Sequence, residues 1–567
     1  MTDQVVEGGL DEPGELEPAQ GSLRLASDGD APTRAQWEAA AAAVLRKARR
    51  LGEDDADTLV WDELTRTTLD GIPVTPLGTP ALLEGRTTSG RPTRQGDWDV
   101  RAMVRTDDPR LAHEEALADL EGGVTSLWLR ASGEAHLPTV LEEVMLDLAP
   151  IVLDGVDPAA FLSYAGDREL HPETNLGVPA ARATAELAGR AWQSGIRAFV
   201  VDATAVHDRG ASDVQELGWS MAEGAAYLRT LTDAGLDVDR AAALVEFRYA
   251  ATDEQFATIA KLRAARRLWA RILELSEAET REMRLHAVTS RPMMSKYDPW
   301  VNMLRTTVAA FAAGVGGADS VTVIPFDSPL GRPDAFGRRI ARNTSHLLID
   351  EAHVAHVADP AGGSYAVEKL TDDVAVAAWE LFGRLEDGAD LGAEIAAVVA
   401  KRDAEVATRK RPITGLTEFP YLAETLPERA PGADDVRRYG AAFEALRDDP
   451  PRQPVFLATL GTVAAYTARA TFASNLLAAG GIAVEAAGAT DGVEALLAAY
   501  DGQPVVCLAG ADATYQQWGA DAVTALRDAG ATHVILAGTP GDLEVDDSCA
   551  MGVDALDFLT RTREKLK

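Results

Sequence analysis

The chain lacks most of the features that mark secreted, membrane-spanning and disulfide-stabilised proteins. It has two cysteines in 567 residues, Cys507 and Cys549, too few for a disulfide framework and without a CxxC metal-binding pattern. No segment approaches the ~20 consecutive apolar residues of a membrane helix. The N-terminus has neither the basic region nor the apolar stretch of a signal peptide. We therefore expect a cytoplasmic protein that does not associate with membranes.

Positive charge is also scarce. The chain has 54 Lys and Arg against 89 Asp and Glu, which gives a formal net charge of −35. Because nucleic-acid binding needs a basic surface, we expect no nucleic-acid partner. The negative electrostatic field of such a chain also disfavours a polyanionic substrate, unless arginines near the binding site make the local field positive. The sequence contains no P-loop, no G-x-S-x-G motif and no internal repeat.

The central part of the chain alternates between short β-rich runs and helical patterns, which predicts a (β/α)₈ TIM barrel over residues 71–424. Helices are predicted between most of the strands, for example at Asp253–Leu275 and Trp300–Ala313. The eight candidate strands are Val124–Leu129, Ile151–Leu153, Phe161–Tyr164, Ala198–Val201, Leu244–Tyr249, Arg284–Thr289, Val321–Phe326 and Val354–Ala358.

A polar, proline-rich linker at residues 425–453 separates the barrel from a second α/β unit at 454–567. Its strands are predicted at Val455–Thr459, Ala483–Ala486, Val505–Leu508 and His533–Ala537, with helices between them. This alternation is typical of a flavodoxin-like, doubly wound domain. A ligand of such a domain would lie at the carboxyl ends of the strands, near Gly461–Tyr466.

Residues 1–70 are predicted to be an N-terminal extension. Up to about residue 33 the sequence is acidic and has no apolar periodicity, which favours a disordered tail. An arm that becomes ordered on a partner is the alternative. Helical spacing of apolar residues then predicts an amphipathic helix at Ala35–Arg50.

Four long segments carry the signature of a known family. They are the strand and helix of 247–270 with AKLRAARRLWA, the DPWVNMLRT of 298–306, the RIARNT of 339–344 and the DPAGGSYAVE of 359–368. Over roughly residues 60 to 567 the chain resembles the methylmalonyl-CoA mutase family. This resemblance implies a barrel followed by a cobalamin-binding-type domain. It also implies a role in the adenosylcobalamin-dependent interconversion of methylmalonyl-CoA and succinyl-CoA.

The segment that resembles the family's cobalamin-binding loop has lost its reactive residues. The family pattern is Lys-x-Gly-x-Asp-x-His-x-x-Gly. In this sequence Thr459 takes the lysine position, Val463 the aspartate position and Ala465 the histidine position. Alanine has no nitrogen with which to ligate cobalt, and loss of the aspartate removes the group that would orient such a ligand. These three positions are therefore degenerate, and no cofactor is expected on this chain.

The barrel segments show the same kind of loss. In the element that matches the family's Arg-Pro-Trp-Thr-Ile-Arg-Gln-Tyr, Trp98 and Arg101 match, but Gly96 replaces the first arginine and Met103 the tyrosine. Ser89 replaces a tyrosine further upstream.

The loops that follow two later strands also differ from the family. The family's Tyr-His pair is Val206-His207 here, so that His207 and Arg101 are the vestigial matches to the thioester site. The loop Ser290-Arg-Pro-Met-Met replaces the family's Ser-Gly-Trp-Ser-Leu. These changes cluster at strand ends, where barrel chemistry takes place.

Some members of the family are heterodimers of a catalytic α chain and a β, or small, chain that keeps the fold without the cofactor, and the sequence resembles the β chain. The resemblance implies a heterodimer in which the α subunit binds adenosylcobalamin and this chain has no catalytic residue. An active mutase with atypical cobalamin binding is one alternative. An acyl-CoA-sensing regulatory module is another.

Two further patterns have structural explanations. Asp350, His353 and His356 form a D-x-x-H-x-x-H pattern, but strand or turn geometry would scatter these side chains, so no metal site is expected. The basic run from Lys261 to Arg271 lies on a predicted helix and is typical of a solvated or ion-paired face.

Overall fold

The computed structural model describes residues 32–86, 91–133, 135–432 and 436–567. It divides into two units, one formed by Met1–Thr68 with Pro73–Leu77 and the other by Leu69–Ile72 with Gly78–Lys567. The acidic tail predicted at the N-terminus and Ser89 both lie outside the described residues. In the described ranges, no helix is long and apolar enough to span a membrane.

The first unit is a small helical hairpin with a short strand pair. Helix α1 (Arg34–Lys47) begins at a Thr33–Gln36 capping box, and α2 (Val60–Leu64) follows a 3₁₀ turn. The rings of Trp37 and Trp61 pack 4.7 Å apart over the unit's small apolar core. Strand β1 (Arg66–Thr67) pairs antiparallel with β2 (Pro73–Val74). The predicted amphipathic helix is therefore present, and it ends three residues early.

Eight parallel strands close into a barrel in the second unit, with β10 paired to both β9 and β3. This confirms the predicted (β/α)₈ architecture. The strands are β3 (Asp99–Arg105), β4 (Ser126–Arg130), β5 (Ile151–Asp154), β6 (Asn175–Pro179), β7 (Arg197–Asp202), β8 (Val245–Ala251), β9 (Arg284–Thr289) and β10 (Ser320–Thr322).

Two of the predicted strands are wrong, although the number of eight is right. Phe161–Tyr164 lies in a helix, Pro158–Ala165, because Asp157 caps its first turn and Pro158 takes the first helical position. Val354–Ala358 is mainly a 3₁₀ turn, Val354–His356, which follows a π-helical turn. Short apolar runs do not distinguish strands from buried helices, whereas the Asp-Pro pair before this run is a helix start signal.

Two strands were not predicted, because their sequences are unlike those of buried parallel strands. Strand β3 carries Asp99, Arg101 and Arg105, and Arg101 lies inside the barrel. Strand β6 contains a glycine and a proline and has a register shift. Gly177 there has φ +64°, and a Cβ at this position would collide with the carbonyl oxygen of Leu153 on β5. The close approach of the two strands therefore requires glycine.

Helices connect and cover the barrel strands. Those from the barrel to the linker are α3 (Pro109–Glu121), α4 (Leu137–Val140), α5 (Pro158–Ala165), α6 (Ala185–Gln193), α7 (Thr204–His207), α8 (Asp213–Asp233), α9 (Val238–Ala243), α10 (Gln255–Leu275), α11 (Val301–Val315), α12 (Ala335–His346), α13 (Tyr365–Glu386), α14 (Leu391–Ala407) and α15 (Ala441–Asp448).

The C-terminal part is a five-stranded parallel sheet in the order β12-β11-β13-β14-β15, which confirms the flavodoxin-like winding. Both faces of the sheet are covered by apolar cores, and both cysteines are free and buried. Its strands and helices are β11 (Val455–Leu460), α16 (Val463–Ala479), β12 (Val484–Ala486), α17 (Val493–Ala499), β13 (Val505–Gly510), α18 (Asp512–Thr514), α19 (Ala520–Asp528), β14 (His533–Ala537), β15 (Asp547–Cys549) and α20 (Ala555–Lys565).

Candidate functional site

Charged and aromatic side chains fill the interior of the barrel. Arg101 on β3 donates from one guanidinium nitrogen to both carboxylate oxygens of Glu246 on β8, at 3.0 and 3.2 Å. These two strands are not neighbours, so the ion pair spans the barrel. Arg248 of β8 lies 4.2 Å from the ring centre of Trp128 on β4, which is a second contact across the interior. The barrel axis is therefore closed by side chains that are at most 5% exposed.

The buried charges inside the barrel are paired. Arg101 also contacts Asp99 at 2.9 Å, and Arg248 donates to Asp202 at 2.7 Å. The Nδ1 of His286 accepts from Arg248 at 3.1 Å, while its Nε2 lies 2.8 Å from the hydroxyl of Thr322. Burial, reinforced by the nearby arginines, lowers the pKa of His286 well below its usual range. We therefore assign His286 as a neutral imidazole with an accepting Nδ1.

His207, one of the two vestigial matches, ends α7 just beyond β7, and both of its ring nitrogens have partners. Nδ1 lies 2.6 Å from Glu216 Oε1, and Nε2 lies 2.7 Å from the hydroxyl of Ser290. Its side chain is almost fully buried. Neither nitrogen is left to bind an additional polar group.

The carboxylate of Glu216 is held by a further buried pair. Lys261 on α10 contacts Glu216 at 3.0 Å and Asp213 at 2.8 Å. Burial alone would lower the pKa of Lys261, but the two carboxylates outweigh this effect and the net pKa is raised. Lys261 therefore stays charged. Within the basic run it is a buried, ion-paired residue.

The cavity beside His207 at the carboxyl mouth of the barrel has a volume of about 10 Å³, and we call it the mouth cavity. Met103, Trp128, Ser290 and Arg291 are among the residues that line it. A single water molecule needs about 10–15 Å³ by this measure. The mouth cavity therefore has no room for a thioester group.

The other residues of the β3 element have packing roles. Trp98 is 2% exposed, packs against Gly314 and donates to the hydroxyl of Ser345 at 3.3 Å. Gly96 has φ +73°, a conformation that an arginine would adopt only with strain. Val206, after β7, is likewise buried and packs in an apolar cluster with Ala211 and Ile395. The retained tryptophan is thus explained by the core.

The three degenerate positions of the cobalamin-type loop lie at the carboxyl end of β11. Thr459 is buried and donates to the carbonyl oxygen of Gly488, while its own carbonyl accepts from Thr490 at 2.6 Å. Val463 is the first residue of α16 and is 60% exposed. Ala465 lies in the first turn of the same helix and is half-buried. No side chain at these positions offers a nitrogen to a metal.

Side chains of the chain itself pack against the carboxyl end of β13 in the C-terminal sheet. In this strand order, ligands bind beyond the carboxyl ends of the first and third strands of the domain, here β11 and β13. Arg469 of α16 donates to the carbonyl oxygen of Gly510 at 2.7 Å and pairs with Asp512 at 2.5 Å. Its guanidinium lies 5.0 Å from the ring centre of Tyr515, whose hydroxyl accepts from the backbone nitrogen of Gly510 at 2.9 Å.

Several residues of these sites were not found from the sequence. Glu246 and Arg248 lie two residues apart in β8, so they face the same side of an otherwise apolar strand, and this alternation could have been noticed. Glu216 gives no such signal, because a glutamate on a long helix is usually exposed.

The D-x-x-H-x-x-H residues do not form a metal site. The rings of His353 and His356 stack 4.7 Å apart, while Asp350 lies 3.4 Å from His346 instead. Across the residues the structure describes, no group of three or more His, Cys, Asp or Glu could hold a metal ion.

Comparison with known proteins identifies the family of this chain. The family model described as methylmalonyl-CoA mutase matches residues 190–490. A Streptomyces virginiae protein named methylmalonyl-CoA mutase small subunit is 43% identical, with 96% of this chain and 98% of the relative covered. The chain belongs to the methylmalonyl-CoA mutase family.

Other relatives of the methylmalonyl-CoA mutase family fall into two groups. A protein of Propionibacterium freudenreichii subsp. shermanii, also named a small subunit, is 34% identical over 96% of both chains. The mitochondrial methylmalonyl-CoA mutase of Bos taurus is 36% identical, but only 36% of this chain and 28% of that protein are covered. Likeness to the small subunits therefore extends over nearly the full length.

The methylmalonyl-CoA mutase family depends on cobalamin, but the residues of this chain do not fit that cofactor. Ala465 has no ligand atom, and Val463 cannot orient one. Arg469 and Tyr515 pack at the carboxyl end of β13, one of the two strands between which a ligand of this sheet would lie. No step of a reaction can be assigned to these residues through the cofactor.

Proposed function

We propose that this chain is the noncatalytic small subunit of an adenosylcobalamin-dependent methylmalonyl-CoA mutase. In this proposal a catalytic large subunit binds the cofactor and carries out the isomerisation, and this chain stabilises it in a heterodimer. The observation that carries the proposal is the filled barrel. A radical rearrangement needs a sealed cavity that holds both cofactor and thioester, and the mouth cavity has space for about one water.

The charges of the barrel interior support the same proposal. The groups that could act on a substrate are bound to one another: Arg101 to Glu246, and His207 to Glu216 and Ser290. Freeing any of them would leave a buried charge or polar group without a partner, which is costly. Their arrangement is suited to stability.

The C-terminal domain supports the proposed noncatalytic role independently. A second domain has lost the ligand for the same cofactor at Ala465, and Arg469 is hydrogen-bonded to the carboxyl end of β13. The full-length relatives named as small subunits support the assignment of a large-subunit partner.

The proposal is tested by co-expressing the chain with a large subunit of the family and measuring corrinoid absorbance and mutase activity. We expect co-purification and one bound corrinoid per complex, with no corrinoid on this chain alone. Stoichiometric corrinoid on the isolated chain would overturn the proposal.

A matched pair of variants tests the noncatalytic role within the complex. His207→Gln replaces the imidazole ring by a side chain of similar size that lacks the two ring nitrogens and their hydrogen bonds. Trp192→Ala is the control, because it changes an exposed surface residue. We expect both complexes to keep kcat and KM within about twofold. A loss of more than tenfold in kcat for His207→Gln, with assembly intact, would show that this barrel takes part in catalysis.

A further inference from the structure

A second cavity, far larger than the mouth cavity, lies in the helical layer around the barrel. It has a volume of about 940 Å³ and is bordered by the second half of α10 and the middle of α13. The loop before β9 and the segment before β3 complete its wall. It shares no lining residue with the mouth cavity. Its volume falls in the range of small-molecule sites, about 300–1,000 Å³, and we call it the arginine cavity.

The lining of the arginine cavity is basic, against the charge of the rest of the chain. Five arginines face three glutamates there, although the chain as a whole carries −35. The arginines are Arg91, Arg266, Arg267, Arg271 and Arg281, and the glutamates are Glu274, Glu282 and Glu380. Four of the five arginines pair with carboxylates, so the attraction for an anion rests on Arg281 and on the exposed, weakly paired Arg271.

Arg281 has donors to offer. In the residues that the structure describes, Arg281 is exposed and hydrogen-bonds only to the backbone carbonyls of Ala278 and Thr280. Arg266, by contrast, is 6% exposed and uses its terminal nitrogens on the carbonyls of Met283 and Gly317 and on Asp319. Its Nε has no hydrogen-bond partner but is shielded from solvent, so a ligand in the cavity would not reach it.

The remaining arginines are partly neutralised. Arg267 pairs with Asp372 at 2.8 Å, and Arg271 pairs with Glu274 at 2.6 Å. The second of these pairs is about half exposed, and such surface pairs contribute little energy, so Arg271 can turn to a stronger acceptor.

Trp379 of α13 supplies the aromatic part of the cavity wall. It is half-buried, lines the cavity and packs its ring edge-on against Phe382 at 5.2 Å. Val376, one turn earlier, is 52% exposed beside it, and Leu268 and Met283 also line the cavity. An indole beside arginines can stack a planar ring while the guanidinium groups bind phosphate oxygens.

We propose that the arginine cavity binds a phosphorylated ligand that carries a planar ring, of the adenine-nucleotide class. The phosphates would contact Arg281 and Arg271, and the ring would lie on Trp379. Such a site on the outer helices is separate from the barrel interior and does not depend on the proposed subunit role.

Calorimetric titration of the full-length chain with ADP, AMP, pyrophosphate and adenosine tests this site. We expect ADP to bind best, pyrophosphate more weakly because it lacks the ring, and adenosine weakest because it lacks the charge. The absence of binding by ADP and pyrophosphate at millimolar concentration would overturn the proposal. Equal affinity for adenosine and ADP would also overturn the proposal, because the arginines would then contribute nothing to binding.

Three variants locate the site. Arg281→Ala should weaken both ADP and pyrophosphate about tenfold, as expected for a charge-assisted hydrogen bond. Trp379→Ala should weaken ADP but leave pyrophosphate within about twofold. Arg384→Ala is the control, because Arg384 lies one turn further along α13, pairs with Glu394 at 3.3 Å and does not line the cavity. If the control weakened ADP as much as Arg281→Ala, the arginine cavity would not be the binding site.

Discussion

The ion pair between Arg101 and Glu246 provides a direct test of the view that the barrel interior serves stability. Glu246→Leu removes two hydrogen bonds from a guanidinium whose side chain is fully buried. Breaking a buried pair in this way typically costs about 3–5 kcal/mol. Arg101 retains Asp99 at 2.9 Å and the hydroxyl of Ser126 at 3.0 Å, so we expect the lower end, about 3 kcal/mol.

The double variant Arg101→Met/Glu246→Leu removes both charges and fills a similar volume with apolar atoms. Replacing a whole buried pair is often neutral or stabilising. Asp99 is then left without its arginine, but it is 14% exposed and keeps the hydroxyls of Thr125 and Ser126. We therefore expect the double variant to lose about 1 kcal/mol or less, which is a smaller loss than that of Glu246→Leu alone.

Differential scanning calorimetry of the barrel transition measures these differences. A domain above 250 residues shifts by somewhat less than about 2 °C per kcal/mol, so Glu246→Leu should lower Tm by roughly 4–5 °C and the double variant by about 1 °C. Mutase activity of the complex should be unchanged in both. Our reasoning is refuted if the single variant melts within about 1 °C of the parent chain, or if the double variant is the less stable of the two.

Three further changes have defined outcomes. Burial raises the pKa of Asp70 to about 6, above the value of about 3.9 in an unfolded chain, so the folded state binds the extra proton. The free energy of unfolding should therefore rise as pH falls from 7 through 6 toward 4, and Asp70→Asn should remove this rise in Tm-against-pH scans. Val463→Asp/Ala465→His should not give stoichiometric corrinoid absorbance, because Thr459, buried and bonded to Gly488, still stands at the lysine position of the loop; a cobalamin spectrum would contradict this. His207→Ala should lower the free energy of unfolding by an amount typical of lost buried hydrogen bonds, about 1–3 kcal/mol, measured as a fall in Tm of roughly 2–5 °C, while the activity of the assembled complex stays within twofold.

The secondary structure was predictable where the local pattern was unambiguous. Strand β9 is found at its predicted residues, and α10 begins only two residues later than predicted. The failures have local physical causes. Strand β3 was missed because Arg101 is charged, and charge inside a strand is tolerated only when a partner such as Glu246 faces it from across the barrel.

The vestigial site residues also show which properties can be predicted from sequence and which cannot. That Ala465 carries no ligand atom follows from the sequence alone, since no fold can give alanine a nitrogen. The state of His207 does not follow from the sequence, because its partners Glu216 and Ser290 are 9 and 83 residues away along the chain. Only the folded chain shows that both ring nitrogens are occupied.

The sequence by itself determined the family, the barrel followed by a doubly wound sheet, and the loss of cofactor-binding atoms at Val463 and Ala465. These properties depend on residue identity and on local periodicity. The tertiary structure alone decided that the barrel axis is closed, that Arg469 is bonded to the carboxyl end of β13, and that an arginine-lined cavity lies between α10 and α13. The reason is physical: volume, burial and ion pairing depend on side chains that are distant in sequence and meet only when the chain folds.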